Sequence, residues 1–234
     1  MSMRDKLDIS AYLVVGPENT MERPAADIVR AAVQAGFTCV QIRSKTASAR
    51  ELIALIGQAA AVLAEEGCSE RVALLADDRL DVVLAARKQG IKVDGVHVGQ
   101  SDIPPEICRA FLGEDAIVGL SAPTGELLDY VRTTDVRDID YFGAGPLHET
   151  ATKPDCGLDD QGNILTRSFQ ELTALAKASP LPVVVGGGVK LGDIPELAAT
   201  GVAGFFVVSA VAGAAEPKKA AAGLVEAWQT ACRK

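Results

Sequence analysis

Apolar positions recur along this chain in a steady rhythm. Short runs rich in β-branched and other apolar residues each stop at a Gly or a polar residue: "AYLVVG", "CVQIR", "VALLA", "GVHVG", "AIVGLS", "DYFGAG", "PVVVGG" and "GFFVVS". Between them lie stretches with helical spacing, among them "ARELIALIGQAAAVLAEEG", "RLDVVLAARKQG", "PPEICRAFLG", "DIPELAATG" and the closing "PKKAAAGLVEAW". Strands alternating with helices predict a parallel sheet, because parallel neighbours need crossover connections. The expectation is an α/β fold, a single-domain (β/α)8 TIM barrel over residues 1–234, with residues 1–10 as an N-terminal extension. An open doubly wound sheet is the other arrangement that this alternation allows. A shared Gly-then-strand texture in "AGFTCVQIR", "VDGVHVGQ", "IDYFGAGP" and "VAGFFVVS" favours the barrel. The longest predicted loop is "HETATKPDCGLDDQGNI", polar and punctuated by Pro and Gly.

A barrel puts its chemistry at the C-terminal ends of its strands. Side chains alternate faces along a strand, so in "VQIRSK" Gln41, Arg43 and Lys45 share one face while Val40 and Ile42 take the other. An amide and two cations on the barrel side suit an anion; a solvated strand exit is the plainer alternative. The third strand ends in Asp77 and Asp78. Either acid could cap the next helix, and strict alternation sends the two to opposite faces unless the chain bends there. Asp102 follows the fourth strand, just before Pro104 and Pro105, where a cap is again an alternative. Carboxylates at neighbouring strand ends suit Mg²⁺, which takes hard oxygen ligands, water and substrate phosphate. His97, in mid-strand, reads as structural.

Ser121 ends the fifth strand with no His or acid partner evident in the sequence, so a hydrogen bond to an anion suits it better than nucleophilic attack. Thr150, Thr152 and Lys153 fall in the polar loop. "VVVGGGVK" and "FFVVSAVAG" stand where barrels often bind phosphate through backbone N–H groups, which nominates Gly187, Gly188, Val208 and Ser209.

Composition narrows the function classes. The chain is 48% hydrophobic but only 4% aromatic, which predicts an aliphatic core. A net charge of −8 without a basic run argues against nucleic acid as a partner. Five cysteines, an odd number with no Cys-x-x-Cys pair, argue against a disulfide framework or a zinc site. The start "MSMRDKLDIS" has no apolar signal region and no apolar stretch is long enough to cross a bilayer, so the expectation is a cytoplasmic protein with no membrane partner. Apolar outer helices leave room for a homodimer, which nothing in the sequence locates.

In order and spacing, "QIRSK", "ADDR", "DGVHVGQSD", "GLS", "GPLHETATK", "VVGGG" and "FFVVSA" resemble the thiamine phosphate synthase family, from about Tyr12 to Trp228. The resemblance implies a barrel enzyme that joins a pyrimidine diphosphate to a thiazole phosphate, releases pyrophosphate and uses Mg²⁺. It implies that Gln41, Arg43, Lys45, Ser121 and Lys153 hold the pyrimidine diphosphate, the last four also assisting the reaction. Asp78 and Asp102 are the implied metal ligands, and Thr150, Thr152, Gly188, Val208 and Ser209 the implied thiazole phosphate contacts.

Two positions depart from the family pattern. Asp77 stands where the family usually has Asn; it is counted here with the substrate contacts, although a cap, a metal ligand or a protonated acid are also open to it. Pro123 stands where the family often has His, which argues against a thiazole tautomerase-like paralogue. A non-catalytic barrel that binds thiamine precursors is the reading from another class.

Overall fold

The computed structural model describes residues 2–123, 125–150 and 165–233. Eight parallel strands close into a barrel in chain order: β1 (Ala11–Val15), β2 (Cys39–Ile42), β3 (Ala73–Asp77), β4 (Gly95–Val98), β5 (Ile117–Ser121), β6 (Tyr141–Ala144), β7 (Val183–Val185) and β8 (Gly204–Val207). β8 returns to pair with β1, so no edge is left open and the doubly wound alternative falls. The helices are α1 (Ala25–Ala35), α2 (Ala49–Glu65), α3 (Leu80–Lys88), α4 (Pro105–Leu112), α5 (Leu127–Thr133), α6 (Phe169–Ala178), α7 (Ile194–Ala199), α8 (Ser209–Ala212) and α9 (Pro217–Cys232). α8 is a short extra turn directly after β8, ahead of the long closing helix.

Alternation divides the apolar residues into two cores. Leu13, Val40, Ile42, Leu74, Val96, Val118, Phe142 and Phe205 face outward into the layer between sheet and helices. Tyr12, Val14, Cys39, Ala73, Leu75, Ile117, Tyr141 and Val184 face inward and fill the barrel. Met3, Leu7 and Ile9, ahead of β1, pack against this inner set. The inner core explains how the barrel top becomes polar. Going up each strand two residues at a time, Cys39 leads to Gln41 and Arg43, Leu75 to Asp77, Gly95 to His97, and Ile117 through Gly119 to Ser121.

At the N-terminal end, buried Arg109 of α4 pairs with Asp140 at 2.8 Å, and Arg4 reaches the other oxygen of that carboxylate at 2.6 Å. The same carboxylate accepts the Val118 amide at 2.7 Å. α4, β5 and the start of β6 are thus tied together at the end opposite the polar one. The four described cysteines are free, and no helix among the described residues is long and apolar enough to cross a membrane.

Gly119 is required by packing. It lies in register between His97 on β4 and Tyr141 on β6, and a methyl group added there would sit 2.2 Å from the Tyr141 ring carbon Cζ. Gly119→Ala should therefore destabilise the fold by roughly 1–3 kcal/mol, the usual range for overpacking a filled core. Chemical denaturation measures this; an unchanged midpoint would show that the tyrosine has space to move.

Candidate active site

A cavity of about 750 Å³ opens at the C-terminal end of the barrel. It is lined by Gln41, Arg43, Lys45, Asp77, Asp78, Asp102, Ser121, Thr150, Gly187, Gly188, Val208 and Ser209, which are all the nominated residues within the described ones. Thr152 and Lys153 lie outside them. Val14 and Phe206 contribute apolar surface to the same cavity.

The charged side is built by β2 and β3. Arg43 Nε lies 3.1 Å from Asp77 Oδ2, and Lys45 lies 3.7 Å from the same oxygen while also pairing with Asp78. Both acids reach the cavity because the backbone turns over at Asp78, whose φ is +59°. That left-handed step is the bend that alternation alone does not supply, and Asp is one of the few residues that tolerates it. It is locked on both sides: the Asp78 amide donates to the His97 carbonyl at 2.8 Å, and the Arg79 amide to the Asp77 carbonyl at 2.7 Å. Neither acid caps α3, which has no side-chain cap. Asp102 accepts the Gly99 amide at 2.8 Å and also leaves α4 uncapped.

The three carboxylates differ in their readiness to ionise. Burial and the neighbouring charge of Asp78 push Asp77 up to about 7, against the pull of Arg43 and Lys45. Burial also acts on Asp78, but hydrogen bonds from Lys45 and Asp102 outweigh it and hold this acid below the ordinary range. Burial and Asp78 together raise Asp102, with the Gly99 amide opposing. Asp78 and Asp102 are within hydrogen-bond reach of each other, so two hard oxygen donors converge at one point of the rim. Among the described residues there is no group of three or more His, Cys, Asp or Glu arranged to hold a metal, so a cation here would draw its other ligands from water or substrate.

The opposite side is backbone. Gly187 and Gly188 have φ of +81° and +73°, conformations that favour glycine. Added methyl groups would press on Pro146 and His148, which hold the preceding loop against this turn. Val208 and Ser209 start α8; the Val211 and Ala212 amides donate to the Val208 carbonyl at 3.1 and 2.8 Å, and the amides ahead of them precede the first intrahelical bond.

One expectation needs correction. Ser121 does have a histidine partner: its Oγ is 2.9 Å from His97 Nε2, and His97 lines the cavity rather than serving packing alone. The signal for His97 was its place two residues above inward-facing Gly95. Its contact with Ser121 depends on how β4 and β5 are registered, which one strand read alone does not reveal.

Comparison with known proteins bears on the chemistry. A family profile described as thiamine monophosphate synthase matches residues 11–211. The thiamine-phosphate synthase of Corynebacterium efficiens is 40% identical over 215 residues, covering 92% of this chain and 93% of the relative. That of Corynebacterium jeikeium is 39% identical over 230 residues, covering 98% and 99%. Among solved structures, a thiamine phosphate pyrophosphorylase from Pyrococcus furiosus superposes with a TM-score of 0.76 at 26% identity, covering 98% of each chain.

The raised Asp77 acid has a measurable consequence. It binds a proton in the folded state up to about pH 7, whereas unfolded it releases that proton near the ordinary carboxyl value of 3.8. Between these values the folded state holds more protons, so this group makes stability fall as pH rises. Asp77→Asn keeps the shape of the neutral acid and removes the loss. In divalent-free buffer the variant should melt above wild type at pH 8. The gap should close toward pH 4; an equal gap at both pH values would show that Asp77 is not the titrating acid.

Proposed function

The chain belongs to the thiamine monophosphate synthase family, and on that premise we propose how its cavity carries out the family's reaction. The enzyme joins a pyrimidine diphosphate to a thiazole phosphate and releases thiamine phosphate and pyrophosphate. The observation that best supports the assignment of residues is the division of one cavity into two anion sites. Arg43 and Lys45 stand beside Asp78 and Asp102 on one side, and the Gly187–Gly188 turn faces the start of α8 on the other.

On this reading Arg43 and Lys45 receive the diphosphate, Arg43 as a planar fork and Lys45 as a point charge. Asp78 and Asp102 hold Mg²⁺, a role that suits two converging carboxylates with water and phosphate to complete the shell. When bound, the ion neutralises charge building on the departing diphosphate. Gln41 and Ser121 bind the same substrate, with Gln41 deeper in the barrel. Gly188, Val208 and Ser209 offer backbone to the thiazole phosphate, with Thr150 beside them. Lys153 and Thr152 keep the roles implied by the resemblance, without a structural account.

The pyrimidine carbon–oxygen bond breaks, its electron pair leaves with pyrophosphate, and the thiazole nitrogen supplies its own lone pair for the new carbon–nitrogen bond. No protein nucleophile is needed. The residues orient two reactants and favour departing charge, which are tasks of proximity and electrostatics. Asp77, 3.1 Å from Arg43 Nε, steadies that side of the clamp. The free cysteines agree with a reducing cytoplasm as the place of reaction.

Purified protein supplied with both substrates should release pyrophosphate only with Mg²⁺ and form thiamine phosphate, read through its fluorescent oxidation product. Full turnover in excess chelator would overturn the metal assignment. Substrate binding by calorimetry without turnover would favour a non-catalytic barrel. Lys45→Ala should slow the single-turnover release of pyrophosphate about a hundredfold, the cost of one well-placed donor at a developing charge; an unchanged rate would remove Lys45 from the clamp. Asp102→Ala should require more Mg²⁺ and recover only part of its rate when Mg²⁺ is raised, whereas a wild-type Mg²⁺ requirement would remove Asp102 from the metal shell.

A further inference from the structure

A continuous run of side chains crosses the barrel beneath the cavity. Gln41 Nε2 donates to the Tyr12 hydroxyl at 2.9 Å, and the Tyr12 and Tyr141 hydroxyls are 2.9 Å apart. The Tyr141 hydroxyl is 2.9 Å from His97 Nδ1, and His97 Nε2 is 2.9 Å from Ser121 Oγ. Five side chains from β1, β2, β4, β5 and β6 thus form one line, with Gln41 and Ser121 reaching the cavity at its two ends.

The line is built into the fold. Tyr12 and Tyr141 are almost wholly buried, and Gln41 is 4% exposed. Gly119 leaves the space in which Tyr141 lies, stacked on the His97 ring with centroids 5.4 Å apart. At Gly143 an added methyl would come within 3.1 Å of His97 Cε1. Two strand glycines therefore make room for two members of the line.

Its direction follows from counting protons. Burial above all, with nearby groups, raises both phenols well beyond the ordinary tyrosine value, so each keeps its single proton. The Cys39 thiol close to Tyr12 also stays neutral, because burial raises it well above the ordinary thiol value; a thiol is only a weak acceptor. Tyr12 accepts from Gln41 and passes its own proton toward Tyr141. Tyr141 then donates to His97 Nδ1, which leaves the histidine proton on Nε2, aimed at Ser121. A hydroxyl that accepts from His97 has its own proton available for the cavity. The far end asks for the same polarity, because a phosphate oxygen only accepts.

We propose that Gln41, Tyr12, Tyr141 and His97 form an ordered hydrogen-bond relay that holds His97 as its Nε2–H tautomer and sets Ser121 as a donor to a phosphate oxygen in the cavity. Tyr12, Tyr141 and His97 are positioning residues: they act through Ser121. The donation to substrate diphosphate rests on the synthase reading above; the tautomer does not.

Nitrogen-15 NMR of histidine-labelled protein tests the tautomer without substrate. The chain has two histidines, so His148→Gln identifies the signals of His97. The expected result is an unprotonated Nδ1 and a protonated Nε2 in otherwise wild-type protein. The opposite tautomer, or a doubly protonated ring at neutral pH, would overturn the relay. Tyr141→Phe keeps the ring and removes one link, so His97 should become a mixture of tautomers. Single-turnover pyrophosphate release should slow about tenfold, while KM for the pyrimidine diphosphate changes little. Combined with Ser121→Ala, Tyr141→Phe should add no further loss; multiplied losses would show that it does not act through Ser121. If Ser121→Ala alone leaves release unchanged, the donor role fails, while the tautomer result still decides the relay. Should Tyr141→Phe fail to fold, the NMR result on protein with Tyr141 intact decides it.

Discussion

The fold and the site both depend on one constraint: in a closed parallel barrel, every second side chain of every strand must share a single interior. That interior has room for few residues, so their chemistry is sorted by height. Near the N-terminal end the inward places hold Cys39, Ala73, Leu75, Ile117 and Val184, which only fill space. One or two steps higher the same faces present Gln41, Arg43, Asp77, His97 and Ser121. A polar group at those heights cannot turn outward, because the outer face is packed against helices. It must find a partner inside, with a neighbouring side chain or with a ligand. The relay from Gln41 to Ser121 and the contacts of Asp77 with Arg43 and of Asp78 with Lys45 are two answers to that demand.

The same constraint explains what could be read from the sequence. All eight strands were legible, because a parallel strand covered on both faces is a nearly continuous apolar run. The strand-end residues were legible as candidates because the end of such a run marks a height in the barrel. What one strand cannot show is its register with the next. His97 and Ser121 are well separated in sequence and meet because β4 and β5 are aligned with Gly119 opposite His97. The joint arrival of Asp77 and Asp78 in the cavity was hidden for another reason. Alternation assumes extended backbone, and Asp78 breaks it with a left-handed step. Capping, an equally good local reading of both acids, failed on geometry alone.

Three aspartates of identical chemistry are made different by their surroundings. Asp77 is the most buried and holds its proton into the neutral range. Asp78, with Lys45 and Asp102 as partners, gives its proton up readily. Asp102 is the most open of the three to water and is raised by burial and by the charge of Asp78. Environments that push like groups apart let one site assign them separate duties. Here that separation means the cavity need not hold three full negative charges side by side. The cations Arg43 and Lys45 are therefore not fully spent on neutralising their own neighbours.

The left-handed backbone at Asp78 also limits how this rim can evolve or be redesigned. Lengthening the carboxylate arm would put glutamate into a backbone region that it enters less readily than aspartate. Asparagine and glycine fit the backbone but give up the charge. β-Branched residues fit neither the backbone nor the chemistry. The residue at this bend is thus held by conformation as much as by the carboxylate it presents. The rim is easier to change at Asp102, or in the loop that carries it, than at the bend.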